Sequence, residues 1–164
     1  MNISQAILWK YPQANPLYDF RVDVVDGTET LVTWSSPDPR PTDTDLQSWW
    51  LECRRQQKLT ELNGFCQSTI YSGFVGTNGH SYQFEDKDQG NLTQQMVFLV
   101  NDPTITTVDW KTTDVGILTH TRDEFFQVCQ DANNFKRTNF GKYWQLEANV
   151  KAATTEDEIN SINW

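Results

Sequence analysis

Toward the C-terminus the sequence has the periodicity of one long amphipathic helix. Thr121 and Glu124 form the T-x-x-E capping box of a helix start. If Gly141 is tolerated, the helix that follows spans about 30 residues and roughly 45 Å. A chain of 164 residues forms one or two compact domains, so this length indicates a partner chain along the helix. The apolar residues recur in steps of three and four, as on one helical face: Phe125, Val128, Ala132 and Phe135, then Tyr143, Leu146, Val150 and Ala153.

The N-terminal residues predict a short helix followed by a β-hairpin. Apolar residues recur every four positions over residues 3–11, and Pro12 stops that helix. Residues 20–25 and 30–34 are rich in β-branched and aromatic side chains, which favour strands. An Asp-Gly pair stands between them, and this dipeptide readily adopts the positive φ angles of a tight hairpin turn.

A second long helix is predicted after a proline-rich connector. Proline occupies every second position over residues 37–41, which excludes a helix and favours an extended chain. Thr42 or Asp43 then caps a helix that meets no breaker until Gly64, where we expect it to end. Its buried face is marked by the three-and-four spacing of Leu46, Trp49, Trp50 and Cys53.

Two further strand pairs and one helix are predicted between the long helices. Phe74, Tyr82 and Phe84 flank an Asn-Gly turn, which indicates a second hairpin. Residues 106–111 and 116–119 form the third strand pair. The intervening helix opens at Asp86 or Asp88, ends before Pro103, and carries on one side Leu92, Met96 and Leu99.

The chain closes on a short helical turn, for which Thr155 and Glu158 supply another capping box. The expected fold class is therefore α+β: a short helix and β-hairpin, a long helix, small antiparallel strand pairs and a long C-terminal helix. We expect two domains, covering residues 1–63 and 64–164.

Composition excludes several classes of protein. The 13 basic and 22 acidic residues give a formal charge of -9, which argues against nucleic-acid binding. No segment approaches the ~20 apolar residues of a membrane span, and the first residues lack a signal-peptide core, so we expect production in the cytoplasm. The three cysteines have no C-x-x-C spacing and are expected to be reduced.

No recognised catalytic or ligand-binding motif occurs. Nucleophile-elbow, zincin and P-loop patterns are all absent. His80 and His120 have no flanking motif and are expected to be structural or solvent-facing. Asp86, Asp88 and Gly90 do not have the register of a calcium loop. We therefore expect no catalytic, cofactor-binding or metal-binding residues, and a protein that is not an enzyme.

Aromatic residues supply the candidate interface. The sequence contains 7 Trp, and a tryptophan buries a large rigid area at low entropic cost. Adjacent tryptophans on a helix point about 100° apart, so Trp49 and Trp50 need packing on two sides. A sugar-stacking platform that includes Trp110 is the alternative. The candidate interface residues are Trp49, Trp50, Tyr143, Trp144 and Trp164.

The N-terminal segment resembles the XkdW family of phage and defective-prophage proteins. The resemblance rests on a short helix ending in KYP, an acidic hairpin that closes on Trp34, and the P-x-P-T-x-x-x-L-x-x-WW helix.

From Gly73 onward the chain is similar to an uncharacterised domain found at the C-termini of many phage tail-fibre and baseplate proteins. That domain has a G-x-x-Y hairpin, a W-K-T-x-D strand pair, a T-x-x-E-F helix and an I-x-A-A-T-T-x-E-E-L ending. Val150 and Ile159 replace the usual Ile and Leu. The matching residues are Gly79, Tyr82, Asn91, Trp110, Thr112, Phe125, Ala152, Ala153 and Thr154.

The two resemblances imply a non-enzymatic structural component of a tailed-phage tail, located in the virion at the tail fibre or baseplate. Its expected partners are other tail proteins and copies of itself, and a trimer is the symmetry we favour because fibres are commonly trimeric. Two alternatives stay open, a tail-fibre assembly chaperone and a carbohydrate- or receptor-binding module. The resemblance implies no cofactor, nucleic acid or membrane.

Overall fold

The computed structural model describes residues 1–164 and confirms the α+β fold class. None of its helices combines the length and apolar character needed to span a membrane. In chain order the elements are α1 (Ile3–Lys10), β1 (Phe20–Val25), β2 (Thr28–Trp34), α2 (Asp43–Tyr71), β3 (Phe74–Val75), β4 (Ser81–Tyr82), α3 (Asp86–Asn101), β5 (Thr107–Lys111), β6 (Ile117–Thr121), α4 (Arg122–Ala152) and α5 (Glu156–Ser161).

Every strand belongs to a hairpin. The strands form three separate two-stranded antiparallel sheets, β1-β2, β3-β4 and β5-β6, so all three predicted strand pairs are confirmed. In the first hairpin Asp26 and Gly27 have φ of 51° and 77°, which are the positive angles that an Asp-Gly turn requires. Two-stranded ribbons are marginal by themselves, so each depends on packing against helices.

The chain divides into two compact units. The first unit comprises Met1–Glu61 and Glu147–Asn163, and the second comprises Leu62–Leu146 with Trp164. The division therefore falls inside α2 and inside α4, whereas the sequence predicts a single boundary between residues 63 and 64. That predicted domain boundary stays a prediction.

The first unit has a core built on its N-terminal elements. Tyr11 makes an edge-to-face contact with Trp49, with 5.6 Å between ring centroids, and lies 5.8 Å from Trp34. The buried residues of this core are Ile3, Ile7, Phe20, Leu31 and Leu46.

The second unit has a larger, aromatic core. Phe74 contacts three other rings, those of Tyr82, Phe84 and Phe135, at centroid distances of 5.2, 5.2 and 6.1 Å. The buried residues of this core are Cys66, Ile70, Phe74, Tyr82, Phe84, Leu92, Leu99, Val108, Phe125, Val128 and Ala132.

The C-terminal helix is as long as predicted. It contains 31 residues, and its apolar face supplies Phe125, Val128 and Ala132 to the core of the second unit. Val150, which lies near its other end and belongs to the first unit, is also fully buried. The length of α4 therefore needs no partner chain to explain it, and a partner stays a prediction.

One predicted boundary is wrong. Helix α2 does not end at Gly64 but continues to Tyr71. A glycine inside a helix costs roughly 0.5–1 kcal/mol relative to alanine. Leu62, Cys66 and Ile70 continue the buried face across it in steps of four, and the burial of such side chains is worth more than that cost.

Candidate functional site

Two of the five predicted interface residues lie in the first unit. Trp49 is half-buried against the N-terminal core. Trp50 donates a hydrogen bond from its indole Nε1 to Glu156 Oε2 at 2.6 Å, and the guanidinium of Arg54 lies 5.7 Å from its ring centroid. Both side chains therefore make substantial contacts inside this unit.

The other three lie in the second unit. Trp164 donates from Nε1 to Thr69 Oγ1 at 3.0 Å, and the ammonium of Lys142 lies 4.4 Å from its ring centroid. Tyr143 is half-buried beside the aromatic core. Trp144 is 62% exposed. Trp144 thus presents the largest exposed fraction of the five, and the interface role of the set stays a prediction.

Helix α3 carries an apolar surface that the sequence-based candidates did not include. The C-terminal part of α3 has the sequence MVFLV. Five consecutive residues of a helix point in all directions around its axis, so packing against one core leaves some of these apolar side chains exposed. Leu99 is fully buried, whereas Phe98 and Val100 are 56% and 64% exposed. Five consecutive apolar residues in a helix are the sequence signal that could have found this surface.

Met96 is less buried than the two leucines of its helix. The sequence predicts Leu92, Met96 and Leu99 on one side of α3, and of these Leu92 and Leu99 are buried. Leu92 and Leu99 are seven residues apart, so they point in nearly the same direction. Met96 is rotated away from that direction and is 37% exposed.

A groove of about 460 Å³ lies between α3 and α4 in the second unit. Phe84, Leu92, Met96 and Ala132 form its apolar wall. Its polar residues are uncharged except for Lys136. We call this cleft the α3–α4 groove.

An aromatic pair lies beyond Lys136 along α4. The Lys136 ammonium donates to Gln89 Oε1 at 2.5 Å and lies 5.9 Å from the ring centroid of Phe140. Phe140 in turn stacks on Trp144, with centroids 6.1 Å apart and planes at 16°. Steps of four, three, four and four connect Cys129, Asn133, Lys136, Phe140 and Trp144 along α4, which places them on one helical side. We call the groove together with Phe140 and Trp144 the α3–α4 surface.

The cysteines provide no activated nucleophile in this structure. All three are unpaired. Burial raises the pKa of Cys129, the cysteine that lines the groove, to about 11. A thiol with this pKa is protonated at neutral pH, and the thiolate is the reactive form. No cluster of three or more His, Cys, Asp or Glu side chains is arranged to hold a metal ion.

Both histidines make specific hydrogen bonds in the second unit. His80 Nδ1 lies 3.0 Å from Asp114 Oδ2, and this hydrogen bond is the main reason that the pKa of Asp114 falls to about 2. His120 is buried, with Nε2 2.8 Å from the Tyr82 hydroxyl and Nδ1 3.0 Å from the Leu118 carbonyl oxygen. These contacts join the β3-β4 and β5-β6 hairpins.

Several residues that match the family pattern make ring contacts or hydrogen bonds inside the fold. Trp110 contacts Phe125 edge-to-face, with centroids 5.0 Å apart. Thr112 is buried and donates from Oγ1 to the Gly116 carbonyl oxygen at 2.8 Å. The Ala153 carbonyl oxygen, in the first unit, accepts from the Arg55 guanidinium at 2.7 Å. Trp110, Thr112 and Ala153 thus stabilise the fold, and none of them lines the α3–α4 groove.

Comparison with known protein families shows which family the chain belongs to. The chain matches the family model described as XkdW protein over residues 3–58 and the one described as domain of unknown function DUF4376 over residues 53–163. Both families are phage-associated, which supports a phage structural protein in coarse terms. The DUF4376 match covers more than half of the sequence, so the chain belongs to the DUF4376 family. Both expected resemblances are thereby confirmed.

One curated relative gives a partial match. It is the uncharacterized protein YqcD of Bacillus subtilis (strain 168), which is 46% identical over 54 residues. The aligned part covers 32% of this chain and 49% of YqcD, so the chain spans about half the length of that relative. No solved structure matches the chain.

Proposed function

We propose that this protein is a non-enzymatic structural component of a phage tail, at the tail fibre or baseplate. In this role it attaches to other tail proteins and resides in the virion. The observation that carries the proposal is the α3–α4 surface, where Met96 and Trp144 are 37% and 62% exposed and the wall of the groove is apolar. Contiguous exposed apolar surface of this kind marks protein-interaction sites, and the phage association of both families supports a tail partner.

The charge of the chain limits how such a partner binds. With a formal charge of -9, the protein is repelled by other acidic surfaces at long range. Attachment therefore depends on apolar contact and shape, or on a partner with a basic surface. Burial of a fully exposed methionine or phenylalanine contributes about 1.5–3 kcal/mol. A partly exposed side chain contributes a corresponding fraction, so attachment requires several such side chains together.

The test is the protein content of purified phage particles. We expect a fixed number of copies per particle in the wild type and loss of the protein from particles that carry Trp144→Glu. The matched control is Val25→Glu, which introduces the same charge at an exposed valine of the first hairpin. Absence of the wild-type protein from mature particles, with presence in assembly intermediates, would instead identify an assembly chaperone.

We also propose self-association as a trimer, the symmetry expected for a fibre component. Light scattering of the purified protein measures this directly, and a monomer at all concentrations would refute it. The carbohydrate-binding alternative is tested by a glycan array, on which the proposed structural component binds no glycan.

A further inference from the structure

The α3–α4 surface has the length of a helix-binding site. From Cys129 to Trp144 the exposed side of α4 covers 15 residue steps, or about 22 Å at 1.5 Å per residue. This is the length of four helical turns. The groove occupies one end of this span, and the stacked pair of Phe140 and Trp144 occupies the other.

The walls favour a helical occupant over an extended one. Both are helices, and their backbone groups are hydrogen-bonded within each helix, so they offer no strand edge to an incoming chain. An occupant in this apolar groove must satisfy its own backbone hydrogen bonds, and an amphipathic helix does so.

The charge in the groove indicates which kind of charged side chain the bound helix carries. The chain has 22 acidic residues, yet none of the ten residues that line the groove is Asp or Glu. Lys136 is the single charged residue there. Its ammonium has three donors, and its one hydrogen bond in the structure goes to the uncharged Gln89. The groove therefore presents a half-buried positive charge with capacity for a carboxylate.

A second copy of this chain fits poorly. The helix of a copy with the most exposed apolar side chains is α3, and residues 89–101 of α3 contain no acidic side chain to pair with Lys136. Its first-turn carboxylates already have partners, because Asp86 Oδ1 accepts from Tyr71 and Asp88 Oδ2 accepts from the backbone of Glu85.

We propose that the α3–α4 groove binds an amphipathic helix of a different tail protein, and that one carboxylate of that helix pairs with Lys136. This inference rests on the proposed function and names the chemistry of the partner at the same surface. The apolar side of the bound helix contacts Met96 and Leu92 and extends onto Trp144.

The test uses fluorescein-labelled helical peptides of 18 residues with one leucine stripe. Four peptides carry a single Glu at successive turns, and four matched peptides carry Lys at the same positions. In fluorescence anisotropy with the full chain we expect one Glu register to bind best and its Lys counterpart to bind about tenfold more weakly.

Three variants locate the binding. Lys136→Glu should reverse the preference so that the Lys peptide binds more tightly, and Met96→Glu should abolish binding of both. Val25→Glu, in the first unit, should bind as the wild type does. Circular dichroism and thermal unfolding check that each variant is folded, and Lys136→Gln, which removes the charge without reversing it, should bind the two peptides equally.

Two outcomes would overturn the proposal. One is failure of all eight peptides to bind the wild type, and the other is equal binding of the Glu and Lys peptides in every register. Light scattering adds a third, because a wild-type oligomer that Met96→Glu dissociates would place a second copy in the groove. Since the proposed function is tested by the content of particles, a protein that is present in virions but binds no peptide would refute only the helix-binding inference.

Discussion

Removal of one buried hydroxyl, by Tyr82→Phe, should destabilise the second unit without changing its shape. The His120 Nδ1–H donates to the Leu118 carbonyl oxygen, because a carbonyl can only accept. In the neutral imidazole Nε2 is then an acceptor, and the Tyr82 hydroxyl donates to it at 2.8 Å. The same hydroxyl accepts from Asn78 Nδ2 at 2.8 Å. Burial raises the pKa of Tyr82, which keeps the phenol protonated as this donor role requires.

The expected cost follows from which partner loses access to water. Asn78 is exposed and can hydrogen-bond to solvent instead. His120 is only 2% exposed, so its Nε2 would remain buried without a partner, which costs about 1–3 kcal/mol. A loss of about 2 kcal/mol lowers the unfolding temperature of a chain of this size by roughly 4–8 °C.

Urea and thermal unfolding, followed by tryptophan fluorescence at pH 7, measure this loss. The matched control is Tyr71→Phe, which removes an exposed hydroxyl that donates to Asp86 at 2.9 Å, and it should change stability by less than about 0.5 kcal/mol. A double-mutant cycle with His120→Leu should give a coupling energy of about 1 kcal/mol or more. Equal effects of the two Tyr→Phe changes, or additive effects in the cycle, would refute the network.

Three further predictions concern charge, capping and helix propensity. Asp114→Asn should lower the free energy of unfolding above about pH 4, because the hydrogen bond from His80 depresses the pKa of Asp114 to about 2. The advantage of the wild type is lost as the pH falls through that value, and urea unfolding at pH 2–6 measures the loss. Thr155→Ala should cost about 1 kcal/mol in urea unfolding, because Thr155 Oγ1 accepts from the Glu158 backbone amide at 3.2 Å. Gly64→Ala should raise the unfolding free energy by about 0.5–1 kcal/mol, since an added Cβ there meets no atom within 4 Å.

Each of these has a clear contrary result. A constant difference between Asp114→Asn and the wild type from pH 6 to pH 2 would exclude the carboxylate as its cause. Thr155→Ser keeps the capping oxygen and should retain stability, so an equal loss in both variants would argue against the cap. If Gly64→Ala destabilises the protein, residue 64 does not lie in an uninterrupted helix.

Local sequence patterns predicted the secondary structure well where neighbouring residues decide it. The capping box at Thr121 is formed, with Glu124 accepting from the Thr121 amide at 2.7 Å. The box at Thr155 is formed as well. These features depend on contacts between residues three apart in the sequence, so the sequence itself contains the whole interaction.

The extent of α2 and the environment of the histidines depended on distant residues. Gly64 is unfavourable for a helix by propensity, but the burial of Cys66 and Ile70 in a core shared with other elements carries the helix across it. His120 has no flanking motif, and its burial and hydrogen bonds arise only when two hairpins meet. No local pattern contains that information.

The candidate site likewise has features that the local sequence predicts and features that depend on distant residues. The acidic charge, the many tryptophans and the lack of recognised catalytic motifs can be read directly from the sequence, because they are properties of residues and short patterns. Which apolar residues lie outside a core becomes clear only in the folded chain, since exposure depends on what packs against each helix. In the folded chain most of Trp164 is buried, whereas Trp144 and Phe98 are exposed. Helix α3 lies beside α4, and Lys136 is the one charged residue that lines the groove between them.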